Sequence, residues 1–339
     1  IKALEQAIVL SPVNPIGLMQ KSILLEKTEN IDQAMSDMEQ AVFYWPEEVN
    51  WRVRAAKLSE SLGNIETSID QLEEANKILP EDESNTILLG KAYLQSGNLR
   101  KCIDILEPLA KENSSQYELW EILTEAYSEI GDNASALKAA ENASEINPFS
   151  TKPYLMSGRI LLENGDYSKA LEYAKAAVTR NNKEVDTILF LARALLRKGE
   201  KRQALAALEM VNNCPNTSVK SMIEHVNLVK EINGNASAKD LIENISSKYP
   251  ENMDLLKLLA KVQEETGSRY EAEQTIQRAL RIDADEPELH IMLGKINADN
   301  GQLDQAVDHL SKGVTRKSSS LDGYLTLSKS KGLIGDSVH

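Results

Sequence analysis

The residues best suited to metal or nucleophilic chemistry in this 339-residue chain are its four histidines and two cysteines, and their spacing argues against both uses. His225, His290, His309 and His339 form no HExxH or other ligand pattern, and no nucleophile or acid–base partner stands with them in a recognisable set. His290 and His309 fall on consecutive helical segments and can approach each other near Asp283, Asp285 and Glu286. Ordinary packing beside a solvated acidic loop is the plainer expectation there. The glycines recur singly instead of clustering after a strand, which excludes a phosphate loop. Two cysteines do not make a disulfide framework: Cys102 reads as a core thiol, Cys214 as a free one in a loop. Neither a catalytic residue, a metal nor a cofactor is expected, and the six Asn-x-Ser/Thr sequons carry no information in a chain rich in Asn and Ser.

The spacing of the glycines is the stronger signal. A step of 34 from Glu29 meets Gly63, Gly97, Gly131, Gly165, Gly199, Asn233, Gly267, Gly301 and Gly335. Such a column is expected where a helix ends in a left-handed residue, for which Gly and then Asn are best suited. Five positions on comes a column of small residues, Ala34, Ser68, Cys102, Ala136, Ala170, Ala204, Ala238, Ala272 and Ala306. Two helices cross closely only at such positions, and overpacking one costs about 1–3 kcal/mol. Pro12, Pro46, Pro80, Pro148 and Pro250 form a third column, ending second helices where continuation is not needed. Residues 151–184 show the whole unit, with Tyr154, Gly158 and Leu161 on one helical face, Gly165 at the turn, and Ala170, Ala174 and Ala177 on the face of the next helix.

With these columns in view the chain resembles the tetratricopeptide repeat family over nearly its whole length. The resemblance implies an all-α fold, a right-handed superhelical solenoid of stacked antiparallel helix pairs, with the first helix of each pair lining the inner surface. A single array spanning 1–339 is expected, with nine whole repeats over about 15–320 and partial repeats at 1–14 and 321–339, so that both ends look like cut edges of a longer protein. Departures are local: Ser114, Asn182, Asn216, Ala284 and Ser318 replace the proline, and Glu29 replaces a glycine. Pro108 falls inside a second helix and is expected to kink or shorten it, making 99–116 the most irregular hairpin. The connections Asn216 to Lys220 and Arg316 to Ser320 read as the most loop-like.

A formal charge of −14 and a pI near 5.0 disfavour nucleic acid as a partner. No apolar run approaches a membrane span and no leader is visible, so the expected location is cytoplasmic. Against that charge, one first-helix column reads Ile23, Lys57, Lys91, Glu125, Arg159, Arg193, Asn227, Lys261, Lys295, Lys329. Three positions earlier stand Gln20, Arg54, Leu88, Ile122, Met156, Phe190, Glu224, Leu258, Met292 and Thr326. A basic stripe beside an apolar one suits a protein or peptide segment carrying acidic and apolar residues. The candidate partner-binding residues are Arg54, Lys57, Lys91, Met156, Arg159, Phe190, Arg193, Lys261 and Lys295. Two plainer readings stand beside this. Lys57 with Glu60, Arg159 with Glu163, Lys261 with Glu265 and Lys295 with Asp299 have the spacing of solvated intrahelical pairs, worth about 0.2–0.5 kcal/mol each. The apolar column can equally pack between neighbouring first helices.

Two specialised uses known in the family are not met. The carboxylate clamp would need a set of Lys, Asn and Arg where this chain has Lys257 with Lys261 and Lys220 with Glu224, and the asparagine ladder of sugar transferases falls on the apolar column. Phe43, Tyr44, Trp45 and Trp51 either seal the first junction between whole repeats or offer an exposed contact. The function expected is a non-enzymatic protein-interaction scaffold. The alternatives are a substrate-recruiting arm of a larger enzyme and a self-assembly module forming a homo-oligomer.

Overall fold

The computed structural model describes residues 14–112, 115–215, 217–314 and 321–336. The expected remnant of a second helix before residue 14, with Ala7 and Pro12, lies outside the described residues, as do Arg316 to Ser320, Ser114 and Asn216. Two compact units divide the chain, residues 1–180 and 181–339.

In the first unit the helices are α1 (Pro15–Lys27), α2 (Ile31–Tyr44), α3 (Val49–Ser61), α4 (Ile65–Ile78), α5 (Glu83–Gln95), α6 (Leu99–Lys111), α7 (Tyr117–Glu129), α8 (Asn133–Ile146), α9 (Lys152–Glu163) and α10 (Tyr167–Arg180). The second unit holds α11 (Val185–Arg197), α12 (Lys201–Glu209), a 3-10 turn (Met210–Asn213), α13 (Val219–Asn233), α14 (Asn235–Lys248), α15 (Met253–Glu265), α16 (Arg269–Leu280), α17 (Pro287–Asp299), α18 (Leu303–Gly313) and α19 (Leu321–Asp336). Each unit is a stack of helical hairpins, and the first helices start where the 34-residue step places them, to within one residue. No strand occurs among the described residues.

The hairpins form because their ends are specified locally. In most turns the left-handed residue lets the next N–H reach back to a carbonyl five residues earlier, as in Asn64 to Ser59 at 2.9 Å and Asp166 to Leu161 at 2.9 Å. Gly63, Gly97, Gly131, Gly165, Gly199, Gly267 and Gly301 all have positive φ. Side chains of Asn14, Asp82, Asp132, Ser218 and Asn252 cap helix starts, and Pro15, Pro153 and Pro287 occupy the first turn, where no N–H is missed. Pro46, Pro148 and Pro250 follow second helices and also serve as acceptors: their carbonyls take Arg52, Arg180 and Arg278 respectively.

The small-residue column is buried throughout, from Ala34 to Ala306. It lets each second helix settle onto its own first helix, and larger apolar residues fill the space between hairpins. One core cluster gathers Leu89, Leu106, Leu119 and Leu123, and another Leu256, Ile276, Leu289 and Leu293. Cys102 is fully buried and its thiol is pushed up to about 12 by burial, first, and by Glu125; it is a core residue, as its column implies.

Three local expectations are corrected. Asn233 is not the left-handed residue of its turn: it ends α13 in helical geometry, and Gly234 turns the chain at φ 86°, ψ 177°, a conformation open essentially to glycine alone. Gly335 does not end a helix, since α19 continues to Asp336. Pro108 neither ends its helix nor marks the most irregular hairpin, because α6 runs on to Lys111. Only one hydrogen bond is lost there, to the carbonyl of Asp104 on an exposed turn that water can satisfy. The irregular hairpin is 185–213, whose second helix is cut to nine residues and finishes as the 3-10 turn. Pro215 accounts for this: it holds the preceding Cys214 extended, at φ −86° and ψ 126°, one place earlier than the proline column would.

Glu29 is the one non-glycine described with positive φ, at 59°. Its hairpin closes normally, Asn30 N–H reaching Leu25 O at 3.0 Å, so the side chain is tolerated against a backbone preference. Replacing it removes a left-handed penalty of about 1–2 kcal/mol, partly offset by the about 0.5–1 kcal/mol that glycine's extra chain entropy costs. Glu29→Gly is therefore expected to stabilise the first unit by about 0.5–1 kcal/mol in urea unfolding. An unchanged or lowered midpoint would show that Glu29 makes a compensating contribution.

Candidate functional site

Neighbouring first helices touch one another in each unit: α5 with α7 and α7 with α9 in the first, α11 with α13 and α13 with α15 in the second. The two columns of interest therefore run side by side on adjoining helices within each unit.

In the first unit Arg54 pairs with Glu26 of α1, while its Nε is buried and has no partner. Lys91 Nζ lies 3.9 Å from Glu118 of α7. Lys57 and Lys91 flank a crevice of only about 10 Å³ between α3, α4 and α5, room for a single water and not for a ligand. Met156 is half-buried and Arg159 is exposed. Neither Lys57 nor Arg159 has an ion-pair partner among the described residues.

In the second unit Arg193 Nη2 meets Glu224 of α13 at 2.5 Å. Lys261 is exposed and has no ion-pair partner among the described residues. Lys295 is half-buried near Glu264, whose carboxyl is raised by burial and partly drawn back by that ammonium. Phe190 needs a correction as a binding residue: it is 2% exposed, so its ring is core and offers a partner nothing. Ile122 and Met292 of the same column are also buried, because adjoining first helices close over these positions.

Three of the four carboxylates in the pairs read from spacing bridge to a neighbouring hairpin. Glu60 accepts from Gln95 at 2.8 Å, Glu265 pairs with Lys230, and Asp299 pairs with Arg269 at 2.9 Å. Arg197 with Glu231 and Lys257 with Glu286, at 3.0 and 2.9 Å, continue the ladder along the first helices. Each such pair is partly exposed and worth about 0–1 kcal/mol. Their separation of roughly one repeat was the available sequence signal, since Arg197 and Glu231 are 34 residues apart.

The histidines expected to approach do so. His290 Nε2 donates to Ala284 O at 2.9 Å, leaving its Nδ1 to accept from His309 Nδ1 at 3.1 Å. His309 is held below the usual imidazole range, first by burial and then by His290. The acidic residues do not join them: Asp283 takes the backbone N–H of Asp285, and Glu286 pairs with Lys257. Among the described residues no group of three or more His, Cys, Asp or Glu is placed to hold a metal.

The aromatic run divides its roles. Trp45 stacks on the buried Trp51 at 5.3 Å and covers the α2–α3 junction, whereas Phe43 is 80% exposed. Two larger cavities open between second helices. One, of about 410 Å³, lies among α6, α7 and α8 beside Trp120 and Tyr127; the other, of about 280 Å³, lies among the 3-10 turn, α13 and α14. Sequence reasoning passed over both, since a cavity is set by how neighbouring hairpins meet.

The model of the tetratricopeptide repeat matches residues 161–214 and 235–296. A crystal structure of a tetratricopeptide repeat protein from Parabacteroides merdae is similar at TM-score 0.50 and 14% identity, over 84% of this chain and 98% of that one. YrrB, a repeat protein of this type with an unusual peptide-binding site, is similar at TM-score 0.47 and 16% identity, over 55% of this chain and 96% of its own. PilF of Pseudomonas aeruginosa is similar at TM-score 0.48 and 15% identity, over 63% and 97%. No curated protein matches the sequence. These matches support assignment of the chain to the tetratricopeptide repeat family. Proteins of this family generally mediate protein–protein interactions, and the repeat fold is generally a non-enzymatic scaffold. No helix among the described residues is long and apolar enough to cross a membrane.

Proposed function

We propose that this protein is an interaction scaffold that holds a protein segment carrying acidic and apolar residues against its first helices. The observation that carries this reading is the unpaired state of Lys57, Arg159 and Lys261. They share one column in a chain of net charge −14, and none has an ion-pair partner among the described residues, while Arg54, Lys91 and Arg193 nearby are paired. Uncompensated ammonium and guanidinium groups between half-buried apolar side chains such as Leu88 and Met156 steer an acidic segment and give it apolar contact once docked. Several such contacts along the chain add by avidity, so no deep pocket is needed.

The test is binding of a labelled peptide with alternating Glu and Leu, followed by fluorescence anisotropy at two ionic strengths. Arg159→Glu and Lys261→Glu each turn an attraction into a repulsion and are expected to weaken binding about tenfold, with a shallower salt dependence. Arg193→Glu is a control for the inter-helix bridge, since it meets Glu224. Affinity unchanged by both Arg159→Glu and Lys261→Glu rejects this surface.

A further inference from the structure

His225 breaks a column that is otherwise apolar or small over most of the chain. Stepping by 34, its counterparts are Leu89, Leu123, Ser157, Leu191, Leu259 and Leu293. Leu89, Leu123, Leu259 and Leu293 are all buried core residues, and His225 is buried as well, at 6% exposure. Its imidazole has no hydrogen-bond partner among the described residues. Burial holds the ring below the usual imidazole range, so it is neutral near pH 7 and offers one N–H and one bare nitrogen. Its ring nitrogens are not among the fully enclosed polar atoms left without a partner, so a polar ring stands where leucine would pack and keeps access to the space beside it.

That space is the cavity that His225 lines. Shortening of α12 and its ending as a 3-10 turn leave about 280 Å³ between that turn, α13 and α14, just under the about 300–1,000 Å³ of small-molecule sites. Asn212, Thr217, Asn244, Lys248 and Tyr249 line it with His225, and none of their side chains has a hydrogen bond or ion pair among the described residues. The cavity of the first unit is different: there Tyr127 and Lys111 are both committed to Glu107, at 2.7 and 2.9 Å. In a chain with 52 acidic residues, the described residues lining the second-unit cavity include no carboxylate and one ammonium. The free groups include amide, hydroxyl, imidazole and ammonium donors, with a single positive charge among them.

We propose that this cavity binds one carboxylate group, with Lys248 supplying the charge and His225, Asn212 and Asn244 the hydrogen bonds. The carboxylate comes either from a glutamate side chain of a bound segment or from a small free dicarboxylate. The site stands apart from the first-helix column, so either can fail without the other.

Cys214 lines the same cavity and is half-buried, whereas Cys102 is fully buried, so alkylation reports on occupancy of this site alone. The rate of Cys214 modification by iodoacetamide at alkaline pH is followed by mass spectrometry with three probes: glutarate, the blocked tripeptide acetyl-Gly-Glu-Gly-amide, and glutaramide as the uncharged control. At a probe concentration about ten times its dissociation constant, the effective carboxylate probe slows modification about tenfold. Glutarate alone being effective identifies a free dicarboxylate, and the tripeptide being effective identifies a side chain. His225→Leu is expected to abolish protection while raising Tm by about 2–4 °C, because it restores the column's leucine. Lys248→Gln and Asn244→Ala, both at exposed helix positions, abolish protection without touching the core. The proposal is overturned if neither carboxylate slows modification, if glutaramide slows it equally, or if the variants are protected as well as the wild type; the cavity then holds water only.

Discussion

Gly294→Val is expected to destabilise the second unit by about 3 kcal/mol, at the upper end of overpacking costs. Gly294 lies inside α17 with ordinary helical geometry, so propensity alone would favour almost any replacement. The obstacle is the neighbouring helix. A Cβ here would stand 2.5 Å from Leu310 Cγ and 3.1 Å from the Leu310 backbone nitrogen, and Leu310 is fully buried with nowhere to retreat. Helix α18 must then move away from α17, opening the core around Ile291 and Ala306. Urea unfolding followed by circular dichroism measures the loss. Gly63→Val is the instructive comparison, since nothing lies within 4 Å of that Cβ and its cost comes from φ +76° alone. If Gly294→Val were neutral or stabilising, the close helix approach would be wrong.

Leu119→Ala should cost about 2–5 kcal/mol and should cost it in the first unit only. Leu119 on α7 is fully buried in the core it shares with Leu89 and Leu106 of the preceding hairpin. Alanine leaves a void between two hairpins, and in a repeat array each hairpin depends on its neighbours more than on distant ones. The chain supplies its own reporter: Trp45, Trp51 and Trp120 all lie in the first unit. Tryptophan fluorescence is expected to show an early transition in urea while far-ultraviolet circular dichroism shows that transition plus a later one. Coincident transitions by both probes would mean that destabilisation spreads through the whole chain, and would refute the local account.

The columns that made the hairpins legible concern contacts within a repeat. Gly63 follows the end of its helix in a left-handed turn that depends on its own backbone, and Ala170 sits against its partner helix because both are in one 34-residue unit. Pro108 and Asn233 misled for the complementary reason. A proline near a helix end loses one exposed hydrogen bond, and an asparagine yields to a glycine one residue later, outcomes that column membership does not record. Arg54, Lys91 and Arg193 carry their charge visibly, yet their partners Glu26, Glu118 and Glu224 lie one hairpin away, beyond the reach of spacing within a helix.

Sequence by itself determined the repeat, the starts of its first helices and the small residues at each crossing, since these follow from backbone preference and from spacing within one hairpin. Tertiary structure alone decided which charges remain unpaired, that Phe190 is core, and that a cavity opens beside His225. Those outcomes depend on how one hairpin meets the next, where side chains about a repeat apart compete for the same space and the same partner.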